Sequence, residues 1–377
     1  MRRDTSLIIV FIVFSSMLTL VACVDDDPIK PVHCENCPSE NYPTPYSLKL
    51  PPLFASQTAP LNIPADNPLT VEGIALGKKL FFEKRLSINN TISCASCHQP
   101  ENSFNDRGKS FSLGAIGQPG HINAMPLVNL IYADRFNWDG SANSLEEQAL
   151  IPVAHPLEMM EKWVDVAIKI QADPVYVLEF GKAFPNESID STTITKALAQ
   201  FERTLVSGNS PADNYFGAEV GIVPQGRVLT VEEIRGFEVF DDPDRGDCGH
   251  CHGGQYNPNW TDYTFRNNGL DLNPDSGLAK VTKQPFDVGK FKVPSLRNLK
   301  YTAPYMHDGR FNTLEEVVQF YMDGVEPNST NISVDMFHRT GANGHTIALT
   351  LQEKSDLVAF LKALTDEEFV TNPNFRP

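Results

Sequence analysis

The chain has 377 residues, of which 41% are hydrophobic and 21% charged, the balance of a water-soluble globular protein with a substantial core. That excludes a disordered, collagenous or polytopic chain, and the length suits two domains at roughly 100–200 residues each. A formal charge of −16, from 31 Lys and Arg against 47 Asp and Glu, argues against a nucleic-acid partner.

Arg2 and Arg3 precede an apolar stretch from Leu7 to Ala22. It is too short for a comfortable membrane span of about 20 residues and reads as an export signal. The run ends Leu20-Val21-Ala22-Cys23, which resembles a bacterial lipobox, so residues 1–22 are expected to be a lipoprotein signal peptide. Cys23 then becomes the lipidated N-terminus, the only tie to a membrane, on the periplasmic side of a bacterial cell. A plain cleavage site is the alternative. Residues 23–70 begin with Asp25, Asp26 and Asp27 and are rich in proline, which predicts a tether with little secondary structure. Within it, Cys34 and Cys37 form a CxxC that reads as a small disulfide in an exported protein, with a redox or metal role as the alternative.

Cys94-Ala95-Ser96-Cys97-His98 and Cys248-Gly249-His250-Cys251-His252 both fit C-x-x-C-H, the attachment pattern of c-type haem. Two thiols one turn apart can form thioethers to two vinyl groups, and the adjacent histidine reaches the iron from the same side. At this composition about 0.003 such motifs are expected by chance. Zinc would need further ligands, and after Cys23 only Cys34 and Cys37 remain. Gly77-Lys78-Lys79-Leu80-Phe81 precedes the first motif and Gly236-Phe237-Glu238-Val239-Phe240 the second, a weak internal repeat compatible with a helix in both copies. The chain is therefore expected to be mainly α. It should consist of two cytochrome c-like helical domains, 71–225 and 226–377, each with one covalently bound c-type haem. Helices are predicted over 72–84, 144–150, 161–171, 191–206, 230–240, 313–322 and 351–364.

Further blocks sharpen the reading. Asn137-Trp138-Asp139-Gly140-Ser141, Leu145-Glu146-Glu147-Gln148-Ala149 and Pro156-Leu157-Glu158-Met159 lie between the motifs. Phe291-Lys292-Val293-Pro294-Ser295-Leu296-Arg297-Asn298, Thr302-Ala303-Pro304-Tyr305-Met306-His307-Asp308-Gly309 and Thr313-Leu314-Glu315-Glu316-Val317-Val318 follow the second. In order and spacing the chain from about 70 to 366 resembles the bacterial dihaem cytochrome c peroxidase family, which also contains the MauG-type enzymes. The resemblance implies that the N-terminal haem meets hydrogen peroxide and the C-terminal haem receives electrons from a small donor protein, a cytochrome c or a cupredoxin. It makes His98 and His252 the proximal ligands, Trp138 the aromatic bridge between the haems, and Gln148 and Glu158 the peroxide-pocket residues. It also matches Asn123, with the carbonyls of Thr302 and Pro304, to a Ca2+ site, and implies a possible homodimer. Without it, Trp138 reads as a core tryptophan and Glu158 as a surface residue. A carboxylate over an open iron position can take a proton from one peroxide oxygen and return it to the other, and Pro152 would help keep that position free.

Two departures separate the mechanisms the resemblance allows. Where the peroxidases often carry a removable histidine ligand, this chain has Ala115, and nearby His121 reads as structural; the N-terminal haem is then open at rest. Where the peroxidases place a methionine as sixth ligand of the C-terminal haem, counting from Thr313 gives Tyr321, as in MauG-type enzymes, with Met306 and Met322 as alternatives. The leading expectation is a peroxidase. A MauG-like oxidase that modifies a partner protein is second, and a non-catalytic dihaem electron carrier third.

Overall fold

The computed structural model describes residues 42–57, 60–336 and 347–377. The expected signal segment, Cys23 and the Cys34–Cys37 pair lie outside the described residues. Among the described residues the chain is mainly helical, and the sheet is a single two-stranded antiparallel ribbon, β1 (Phe265–Arg266) and β2 (Phe291–Lys292), with Phe265 opposite Lys292.

The main helices are α1 (Val71–Phe81), α2 (Leu145–Ala154), α3 (Trp163–Gln171), α4 (Pro174–Ala183), α5 (Ser191–Glu202), α6 (Pro211–Glu219), α7 (Val231–Asp241), α8 (Leu314–Gln319) and α9 (Leu351–Ala363). Their starts are set by side chains that accept the orphan amides of the first turn. Thr230 with Glu233, Thr313 with Glu316 and Thr350 with Glu353 form reciprocal capping boxes at α7, α8 and α9. Each expected helix has an observed counterpart, but α5 stops at Glu202 and α8 at Gln319, where Phe320–Gly324 continues as a π-helical turn. Of these main helices, α4 and α6 lie outside the predicted segments.

The glycine of each repeat lets two helices cross at backbone contact. A Cβ on Gly77 of α1 would collide with the carbonyl of Ala197 in α5, and one on Gly236 of α7 with the carbonyl of Asp356 in α9. The aromatic four residues on is then driven inward, and Phe81 and Phe240 are both fully buried. Two cores form around these crossings. The first holds Leu76, Leu80, Phe81, Phe104, Leu198 and Phe201; the second holds Phe216, Phe240, Trp260, Leu314, Val318 and Phe360.

Neither core is confined to one half of the sequence. Phe369 and Phe375, at the end of the chain, pack on Phe104 of the first core, and Leu53, from the Pro-rich leader, is buried in the second. Between the cores runs a seam of buried polar groups. Asp366 accepts from the amides of Gly208 and Asn209, and Asn298 donates to Ser103 and Ser207. Arg297 is fully buried in a bidentate pair with Asp213, at 2.9 and 2.6 Å.

Gly236→Ala should therefore destabilise by about 1–3 kcal/mol through overpacking, a drop of several degrees in Tm. Gly120→Ala, with only one atom near and an ordinary φ, should leave the thermal melt unchanged.

Candidate active site

The first haem motif is a single helical turn, Cys94–Cys97, begun by Ser93, whose side chain shares a reciprocal capping box with Ser96. His98 ends the turn, and its Nδ1 lies 2.9 Å from the carbonyl of Phe104. That bond fixes the ring and leaves Nε2 for a metal. The second motif forms the turn Gly249–His252, with Cys248 at its start. His252 Nδ1 is buried with no hydrogen-bond partner. Burial pushes the His252 imidazole down to about 4 and holds His98 below its ordinary value, which favours the neutral form that can bind a metal.

The four thiols are unpaired. Burial pushes Cys248 up to about 12 and Cys251 up to about 11. These neutral thiols in apolar surroundings, each pair within one turn of a neutral histidine, fit covalent c-type haem at both motifs. Among the described residues no cluster of three or more His, Cys, Asp or Glu could hold a metal ion.

Glu158 lies on the first motif's side. It sits on the turn after α2, where its amide donates to the carbonyl of His155 and its carbonyl accepts from Ala115 at 2.7 Å. Asn89 Nδ2 donates to the Ala115 carbonyl, also at 2.7 Å, so the loop that carries Ala115 is pinned between two segments. The Glu158 side chain is 47% exposed, yet crowding by protein atoms raises its carboxyl above the ordinary value while His155 pulls it down. The Cys94 thiol is raised chiefly by burial and then by Glu202, with Glu158 contributing; the Cys97 thiol also feels Glu158. The charge of Glu158 thus reaches both thiols of the first motif.

Gln148, on α2, donates to Asn137 Oδ1 at 3.4 Å, next to Trp138. The indole Nε1 of Trp138 donates to the carbonyl of Asn123 at 2.9 Å, and the Trp138 carbonyl accepts from Lys292 of β2 at 2.8 Å. Trp138 is buried, edge-on to His307, which stacks on Phe291 at 3.8 Å. Asn123 donates from its backbone to the His307 carbonyl and from its side chain to the carbonyls of Lys109 and Ser110. Thr302 and Pro304 are buried on the facing loop, joined to it where Gly108 donates to Ala303. His121 is exposed.

At the second motif, Tyr321 lies on the π-helical turn. Burial pushes its phenol up to about 12, a hydrogen bond from Asn268 pulls it back, and the Cys251 and Cys248 thiols add to the rise. Met306 packs in the same small cluster, whereas Met322 packs in the second core.

The arrangement matches known proteins. A sequence model of the family described as di-haem cytochrome c peroxidase matches residues 71–220. The methylamine utilization protein MauG of Methylorubrum extorquens is 37% identical over 310 residues, 81% of each chain. The chain belongs to the di-haem cytochrome c peroxidase family. The cytochrome c551 peroxidase of Nitrosomonas europaea is 33% identical over 88% of this chain and 91% of its own. The crystal structure of a MauG-like protein associated with microbial copper homeostasis superposes with a TM-score of 0.75 at 34% identity, covering 88% of this chain and 99% of that one. Family membership implies two haems.

Three residues beside these sites escaped the sequence. Glu202 is buried near Cys94, its Oε2 without a partner, and burial pushes its carboxyl up to about 8. Lys292 is buried under the Trp138 loop, with Nζ on the Arg135 carbonyl at 3.0 Å. Asn268 donates to Tyr321. Each has a residue type that sequence patterning assigns to solvent, and only Lys292 lies in a block whose spacing drew attention.

Replacing Cys94 and Cys97 together with Ala should halve the haem that stays bound after acid denaturation, as should replacing Cys248 and Cys251. Full retention in either variant would contradict the attachment sites.

Proposed function

We propose that the protein is a dihaem peroxidase that reduces hydrogen peroxide to water with electrons from a small electron-transfer protein, a cytochrome c or a cupredoxin. The observation that supports this reading is the Glu158 carboxylate, partly exposed on the turn after α2 and near enough to the first haem motif for its charge to act on both thiols. Haem bound at Cys94, Cys97 and His98 would supply the redox chemistry of O–O cleavage, and haem at Cys248, Cys251 and His252 would take in the electrons.

The chain's part is proton handling and positioning. In the overall reaction H2O2 takes up two electrons and two protons and leaves as two waters. Glu158 accepts the proton of the oxygen nearer the metal and delivers it to the departing oxygen, which spares that oxygen from leaving as hydroxide. The bonds from Ala115 and Asn89 hold the Glu158 turn in place. Gln148, tethered through Asn137, offers its amide to the bound peroxide and links the pocket to the Trp138 loop. Trp138 bridges the two sites. The loop opposite Glu158 carries Ala115 in place of a removable ligand, which supports an enzyme active from its fully oxidised state.

A Ca2+ ion belongs to the same proposal, held by Asn123 with the carbonyls of Thr302 and Pro304. In its support, the Asn123 amide nitrogen is committed to two carbonyls, which leaves the oxygen as the ligand end, and oxygen donors suit the ion. Anchoring at the periplasmic face through Cys23 rests on the lipobox spacing, and a homodimer on the family resemblance. Tyr321 beside the second motif favours one further reading, a MauG-like oxidase acting on a partner protein.

The deciding experiment is peroxide-dependent oxidation of a reduced small cytochrome c by lipid-free, haem-loaded protein. Turnover beginning from the all-ferric enzyme is the expected result. No turnover, with a long-lived oxidised spectrum after peroxide alone, would favour the MauG-like reading. Glu158→Gln should slow the reaction with peroxide by about 10²-fold or more while both haems remain bound. The wild-type rate should fall on the acid side as Glu158 protonates, at a pH above the ordinary carboxylate range because its carboxyl is raised. In Glu158→Gln that limb should be missing, and unchanged kinetics would remove Glu158 from the chemistry.

A further inference from the structure

Two helices of the first core leave apolar side chains on their far sides. α3 and α4 give Val166, Ile170, Tyr176 and Phe180 to that core, and their opposite faces carry a row of exposed apolar residues. Val164 and Ile168 stand one turn apart on α3, 56% and 59% exposed, and Val175 and Leu178 stand one turn apart on α4, 51% and 40% exposed. Ala172, exposed at the turn between the helices, joins the two pairs. Single exposed apolar side chains are ordinary on a protein surface, but a contiguous row marks a face that meets a partner or a membrane.

Two further observations say which. Lys182 follows Leu178 by one turn, and its Nζ lies 5.4 Å from the centre of the Tyr42 ring. Tyr42 is the first of the described residues, so the leader that begins at Cys23 joins the described chain at the end of this row. Fully extended, the chain from Cys23 to Tyr42 covers at most roughly 65 Å, and a membrane that holds Cys23 is within reach of the row. The second observation is charge. The chain carries −16 overall, which an anionic lipid surface repels. On this face, however, three of the four carboxylates between Glu161 and Ala183 are paired, Glu161 with Lys169, Asp173 with Arg85 and Glu179 with Lys79. Lys162 and Lys182 outnumber the fourth, Asp165.

We propose that Val164, Ile168, Ala172, Val175 and Leu178 form a membrane-contact face, laid against the lipid bilayer that holds an acylated Cys23. This rests on the lipobox reading above. An acyl anchor fixes where the chain is held but not which side it turns to the lipid, and the row fixes the side. Its apolar side chains enter the boundary between headgroups and acyl chains, while Lys162 and Lys182 keep their ammonium groups at the level of the headgroups. The first core then lies next to the bilayer.

The test uses the full haem-loaded protein, acylated at Cys23, on vesicles of phosphatidylethanolamine and phosphatidylglycerol, with carbene footprinting of exposed side chains. Relative to the unacylated Cys23→Ser protein in solution, labelling across residues 163–178 should fall several-fold. Val223 and Leu351, 80% and 86% exposed, should label as before. Ile168→Glu with Leu178→Glu should stay on the vesicles through the acyl chains yet restore the labelling of Val164 and Val175; both positions are exposed, and unchanged haem content reports an intact fold. Equal labelling of the row on and off the vesicles would overturn the proposal. So would a Cys23→Ser protein that is dimeric in solution and monomeric once it carries the two glutamates, because a second copy then covers the row. The mass of the membrane-extracted protein reports the anchor separately. If Cys23 carried no lipid, the lipobox reading would fall, and co-sedimentation of the Cys23→Ser protein with the same vesicles would judge the row alone: about tenfold or more above the form with both glutamates supports it, and equal co-sedimentation overturns it.

Discussion

Trp138 is gripped from both sides, its indole nitrogen by the carbonyl of Asn123 and its own carbonyl by the amide of Lys292. The two bonds come from loops that otherwise serve different cores, and the rest of the arrangement depends on them. Asn123 also holds the His307 carbonyl, and His307 stacks on Phe291, the residue before Lys292. The loop between the two haem motifs is therefore closed into a ring of contacts rather than hung from one end. Buried hydrogen bonds of this kind each contribute only about 1 kcal/mol, but together they leave the tryptophan one place to stand.

Charge completes what the hydrogen bonds begin. Arg297 belongs to the same stretch as Lys292 and is buried against Asp213 of α6, while Arg203, at the end of α5, makes a bidentate pair with Glu146 of α2 at 2.8 and 2.9 Å. Breaking a buried pair by removing one partner typically costs about 3–5 kcal/mol, because the other charge is stranded. The second pair ties α5, which packs behind the first motif, to the helix that carries Gln148. Side chains remote from the chemistry thus hold the elements that present it.

Much of this was legible in the sequence, for physical reasons that differ from element to element. The haem motifs are fixed by covalent chemistry and leave an unmistakable spacing. The glycine–phenylalanine repeat was visible as a pattern, but its cause, a backbone-to-backbone crossing, needs the partner helices at 197 and 356, more than a hundred residues away in each case. Helix α4 lies outside the predicted segments, although Asp173 and Pro174, a cap followed by proline at the first helical position, mark its start. Helix α6 carries the same signature in Ser210 and Pro211. The candidate site was legible where residues sit in fixed-spacing blocks. Asn268 and Glu202 were not, since their significance lies in which groups long-range folding brings beside them.

The closing residues of the chain have a consequence of their own. Phe369 and Phe375 complete the core around Phe104 and Phe81, so removing them would open the core behind the Cys94–His98 turn, while the second core would keep all its own residues.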